Sequence, residues 1–74
     1  MNWHPSASDI EWTQNTISSV KEGGVWGVPC CDSVLQIFHS KKEVVIVHGN
    51  SKDITLRRII TVLSKMGWKT KRKK

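Results

Sequence analysis

The sequence predicts an α+β fold: a two-layer sandwich in the order helix, three-stranded antiparallel sheet, helix. Three observations carry that expectation. Leu56, Ile59, Ile60, Leu63 and Met66 form one apolar stripe at helical spacing. Val44-Val45-Ile46-Val47 is an unbroken β-branched run of the kind central strands use. Glycine, proline and serine clusters divide the rest into short segments. At 74 residues there is room for one domain. The reading divides it into an arm over 1–7, the folded unit over 8–68 and a basic tail over 69–74.

Pro5 bars a helix from running through the arm. Ser8-Asp9-Ile10-Glu11 reads as a capping box, with a helix to about Lys21 that presents Ile10, Thr13, Ile17 and Val20 to the core. Gly23-Gly24 is read as its stop. Val25 to Val28 is a short strand ended by Pro29, Ser33 to His39 a second, and Glu43 to His48 a third. Short connections favour antiparallel neighbours. Asp53 or Ser51 can cap the second helix, about 54–66, and Gly67 suits its C-terminal cap. With both helices on one face, the other face of the sheet is left open.

Composition narrows the function classes. The longest apolar run is four residues, far below a membrane span, and the amino-terminal stretch does not read as a secretory signal. The adjacent Cys30-Cys31 pair cannot staple a fold, because a vicinal disulfide is strained. A reducing, cytoplasmic setting is therefore expected. There is no spaced Cys/His set, Walker loop, glycine fingerprint or Ser-His-Asp order, so neither a metal nor a cofactor is expected.

Charge is the strongest functional signal. The formal net charge is +6, and it is unevenly placed. Residues 1–40 hold one basic and four acidic side chains, whereas residues 41–74 hold eleven basic and two acidic. Such asymmetry favours a polyanionic partner. At 100° per residue, Arg57, Arg58, Thr61 and Lys65 gather on the outer side of the second helix. Arg57, Arg58 and Lys65, with Lys69, Lys71, Arg72, Lys73 and Lys74, are the candidate phosphate contacts; no base-reading set accompanies them. Of the four tryptophans, at least two should complete the core, while Trp12 and Trp26 are candidates for a partner surface. His39 and His48 could come close across paired strands, and either could act as general base or acid in RNA cleavage.

The stretch from Ile37-Phe38-His39 through Val47-His48-Gly49, followed by Thr55-Leu56-Arg57-Arg58 and Lys65-Met66-Gly67, resembles the second half of HicA-type mRNA interferases. The resemblance spans about 35–67. It implies a fold like that of double-stranded-RNA-binding domains, in the order helix, three strands, helix. Leu35 stands where that family carries its catalytic histidine. The resemblance thus speaks for the fold, and nuclease activity does not carry over.

The expected function is a small, non-catalytic nucleic-acid-binding module that contacts phosphates, with RNA favoured over DNA. The alternatives are a protein-interaction regulator or inhibitor that binds its partner, an acidic protein, through exposed tryptophan and the open sheet face, and a HicA-like ribonuclease toxin.

Overall fold

A computed structural model describes residues 3–29, 31–50 and 52–73. Cys30, Lys74 and the alternative cap Ser51 lie outside the described residues, as do the first two residues of the arm. The order is α1 (Ala7–Ser18), β1 (Val25–Gly27), β2 (Val34–Phe38), a 3-10 turn (His39–Lys41), β3 (Glu43–His48), α2 (Ile54–Lys65) and β4 (Lys69–Arg72). The expected α+β class holds. The sheet, however, has four strands in the order β1-β2-β3-β4, and its last pair is parallel.

α1 begins two residues earlier than its capping signal suggested. Ser6 Oγ accepts from Asp9 N–H at 3.2 Å, and an Asp9 carboxylate oxygen accepts from Ser6 N–H at 2.9 Å. The box is therefore Ser6/Asp9 and not Ser8/Glu11. Pro5 then sits just outside the helix, where its missing N–H costs nothing. The helix also ends sooner, at Ser18, with Ser19 as C-cap. Gly23 serves instead in a turn: Gly24 N–H donates to Lys21 O at 2.8 Å, with Gly23 at φ 72° in the third position. That is the type II geometry that favours glycine.

α2 follows the sequence closely. Asp53 caps it, its carboxylate accepting from Leu56 N–H at 3.1 Å. Gly67 at φ 88° closes it. Gly67 N–H donates to Ser64 O at 3.1 Å and Trp68 N–H to Leu63 O at 2.9 Å, the two bonds of a Schellman motif. The motif turns the chain back, and Trp68 packs against the core as the chain leaves the helix.

That reversal creates β4. The expected basic tail is an edge strand over four of its six residues. Lys69 N–H donates to Lys42 O at 2.9 Å and Lys73 N–H to Ile46 O at 3.0 Å, bracketing the ladder with β3. A parallel pair needs a crossover, and α2 supplies it. Composition hid the strand: four of five residues over 69–73 are cationic, and Thr70, half-buried beside Val44, is the single small inward-facing residue. The pairing satisfies the edge of β3, and lysines on the new edge discourage further strand addition.

The core lies between the helices and one sheet face. Leu35, Ile37, Val44, Leu56 and Leu63 are fully buried there, joined by Ile17, Val28, Ile46 and Ile59. Each fully buried aliphatic side chain contributes about 1.5–3 kcal/mol. Gly49, just after β3, is held by close approach. A Cβ there would stand 2.9 Å from Ser33 Oγ and 3.0 Å from a Leu56 methyl. Gly49→Ala should destabilise the fold by about 1–3 kcal/mol through overpacking. The loss is read as a Tm lower by about 4–8 °C per kcal/mol; an unchanged Tm would contradict this packing.

Candidate nucleic-acid interface

Side-chain alternation sorts the sheet into two faces. On the face away from the helices, the register forms rows that cross the strands. One row runs Val25, Gln36, Val45, Lys71, and another runs Phe38, Glu43, Lys69. A β-bulge near the far end places Val47 and His48 opposite Val34. The open face expected from the sequence is therefore present, and its last strand carries a lysine at the end of each row.

The structure divides the eight predicted phosphate contacts. Lys69 and Lys71 share the open face on β4, with Lys73 just beyond. Arg72 alternates to the other side and donates to Gly49 O at 3.2 Å. Arg57, Arg58 and Lys65 are exposed on the outer side of α2, as the helical spacing predicted. That places them in the opposite layer from Lys69 and Lys71. Lys74 lies outside the described residues. The single continuous cationic surface implied by the sequence is thus two surfaces separated by the thickness of the sandwich.

The helical surface is partly engaged by its own chain. The Arg58 guanidinium stands over the Trp3 ring, 5.2 Å from its centroid. Hydrogen bonds from the Ser6 backbone and side chain hold the Asp9 carboxyl below its ordinary value, with a smaller contribution from the Arg58 charge. Trp3, Trp12, Asp9 and Arg58 line a groove of about 260 Å³ between the helices. The predicted partner-surface residues Trp12 and Trp26 do meet, with ring centroids 6.0 Å apart and planes tilted by 57°. Trp12 remains 48% exposed, while Trp26 and Trp68 pack against the core.

The β4 surface is also engaged at one point. Glu43 pairs with Lys71 at 3.3 Å, the one ion pair among the described residues. At a solvent-exposed lysine such a pair is worth little and is screened by salt. Lys41 and Lys42, on the β2–β3 connection, join the same end of the sheet through the bond from Lys69 N–H to Lys42 O. The Lys41 ammonium lies 5.8 Å from the Phe38 ring centroid. Sequence reasoning did not select Lys41 or Lys42, because their place beside Lys69 depends on β4.

Glu22 was also missed. One of its carboxylate oxygens accepts from His39 N–H at 2.6 Å and Ser40 N–H at 3.2 Å, and the other from Ser40 Oγ at 2.7 Å. It ties the turn before β1 to the connection that carries Lys41 and Lys42. Ser40, chiefly through its hydroxyl, pulls the Glu22 carboxyl below its ordinary range, with help from His39 N–H and the nearby imidazole. His39 contacts the Val20 carbonyl through Nε2 and sets its ring edge-on to Trp68. His48 ends β3 at the far end of the β2–β3 pair, so the two histidines do not meet. Among the described residues, no group of three or more His, Cys, Asp or Glu side chains could hold a metal. No described helix is long and apolar enough to cross a membrane.

No known protein family matches the sequence, and no curated protein or solved structure shows significant similarity to it.

The lowered Asp9 and Glu22 carboxyls set an acid-limb prediction. A depressed folded-state pKa contributes stability above the ordinary carboxylate pKa, near 4, that is lost as pH falls through the folded value. Glu22→Gln should therefore lower Tm at neutral pH and have a much smaller effect near pH 2. An equal loss at both pH values would contradict a charged-carboxylate role.

Proposed function

We infer that this protein binds nucleic acid through the phosphate backbone, and that the cationic edge of its sheet makes the contact. The observation behind this reading is β4. Residues that would be a loose tail are instead held on a rigid edge, with Lys69 and Lys71 on one face and Lys41 at the adjoining connection, while Lys42 lines a pocket on the helix side with Gln14, Ile17 and Trp68. Fixed lysines along a line track regularly spaced phosphates at less ordering cost than a flexible tail. The excess of uncompensated cations supplies counterion release. Among the described residues no set of side chains is aimed at base edges, so the binding proposed is to the phosphate backbone rather than to sequence. RNA is the ligand favoured.

The second reading, a protein-interaction module, rests on Trp12. A tryptophan 48% exposed beside Trp26 is the kind of aromatic anchor that protein interfaces use. Its partner would be acidic and would dock on the helical side, away from β4.

Salt dependence separates the two. Fluorescence anisotropy with a labelled RNA of about 20 nucleotides should show affinity falling steeply with salt. Replacing Lys69, Lys71 and Lys73 by alanine together should reduce the slope of log K against log salt by about 2, at roughly 0.7 per lost contact on a single strand. Arg57→Ala should leave the slope nearly unchanged. Absence of binding at low salt, or a slope indifferent to the three lysines, overturns the reading.

A further inference from the structure

The open sheet face poses a separate question. Val25 is 62% exposed, and Val34, Phe38 and Val45 are each partly exposed beside it. A small, strongly cationic protein thus leaves a strip of apolar surface uncovered. The strip is bounded by cations, Lys69 and Lys71 along β4 and Lys41 at the β2–β3 connection, and Glu43 lies within it between Phe38 and Lys69, its carboxylate paired with Lys71. The rows join the two kinds of surface, since Val25, Gln36 and Val45 lead across three strands to Lys71.

We propose that this face takes single-stranded nucleic acid in preference to duplex, with phosphates along the β4 lysines and unpaired bases laid on Phe38 and Val45. The inference rests on the phosphate-binding reading above and names the form of ligand that the same site prefers.

The chemistry of the two forms decides between them. A duplex keeps its bases stacked and paired, so a protein without base-reading groups meets mainly phosphate and sugar. It would satisfy the lysines and leave the apolar strip wet. A single strand presents an anionic line together with flat apolar rings, the pair of surfaces the sheet offers. Lys69 and Lys71 are two residues apart on an extended strand, hence about 6.6 Å apart along it, a spacing suited to successive phosphates. Phe38 supplies the ring on which a base stacks; the Lys41 ammonium, which lies over that ring at 5.8 Å from its centroid, would swing off it to meet the adjoining phosphate. Gln36 is held across the face, donating its amide to Gly23 O at 3.0 Å. Gly27, on the same face, leaves open space where a side chain would stand.

The other occupants fit less well. A second copy of this chain would bring two lysine rows together, with Glu43 on each side as the nearest offset. An acidic protein segment would answer the cations, but it lacks the flat faces that suit a shallow pleated surface.

The experiment compares labelled oligouridylate of about 12 nucleotides with a duplex of the same length, by anisotropy at physiological salt. The expected result is single-strand affinity at least about tenfold higher. Phe38→Leu keeps apolar volume beside Gly23 and removes the aromatic face. It should weaken single-strand binding about fivefold or more, the lower end of base–aromatic stacking, and leave duplex binding and the salt slope unchanged. Val25→Glu removes no core contact and should likewise weaken single-strand binding more than duplex binding, with an unchanged circular-dichroism spectrum. Equal affinity for both forms, with Phe38→Leu inert, overturns this inference and leaves the phosphate reading standing. Failure of every oligonucleotide to bind at low salt overturns both. Binding of an alternating Glu-Val peptide in the absence of any nucleic-acid binding assigns the face to a protein. A dimer by sedimentation that Val25→Glu dissolves assigns it to a second copy. Either of these last results contradicts the proposal.

Discussion

The parallel pairing of β4 with β3 is the constraint on which the architecture and the surface chemistry both depend. Without it, β3 would be an exposed edge made of the most β-prone residues in the chain, an invitation to pair with other molecules. With it, β3 is central, and the edge is passed to a strand whose residues are nearly all cationic. The same pairing turns five carboxy-terminal residues from a flexible charge cluster into a directional surface. Lys69 and Lys71 face one way and Arg72 the other, because strand geometry permits nothing else.

The pairing has a short list of causes. Gly67 adopts a left-handed conformation, the Schellman bonds reverse the chain, and Trp68 anchors the reversal in the core. α2 then spans the sheet between its two parallel neighbours, fixed at its start by Asp53 and along its length by Leu56, Ile59 and Leu63. At the other end of β3, the close approach of Gly49 to Ser33 and Leu56 sets where the chain leaves the sheet. The Gly49 carbonyl then accepts from Arg72. Both ends of β3 are therefore tied to β4, through Lys42 at one end and Gly49 at the other.

Much of this was legible in the residues. Periodicity located α2 to within a residue, and the β-branched run located β3 at its observed bounds. Both carry a strong pattern over enough residues to exclude alternatives. α1 was found with its ends displaced, because its apolar stripe is thin and its cap is Ser6 and not the expected Ser8. β4 was missed because strand formation there is tertiary. Lysine and arginine have little strand preference, and the partner that orders them lies more than twenty residues away. The site inherited that error. Arg57, Arg58 and Lys65 were placed correctly on the outside of α2, but the layer separating them from Lys69 and Lys71 follows from β4. So does the arrival of Lys41 and Lys42 beside Lys69, and Glu22, which secures their connection from seventeen residues upstream, left no local signal.

The most direct measurement of the central claim is amide hydrogen exchange by NMR over residues 69–73. Pairing with β3 predicts slow exchange at Lys69 and Lys73, whose N–H groups donate to Lys42 and Ile46, and fast exchange at Thr70 and Arg72, whose N–H groups point away from the ladder. Uniformly fast exchange across all five residues would mean that the basic segment is a tail after all. The edge, the lysine rows and the surface built on them would fall with it.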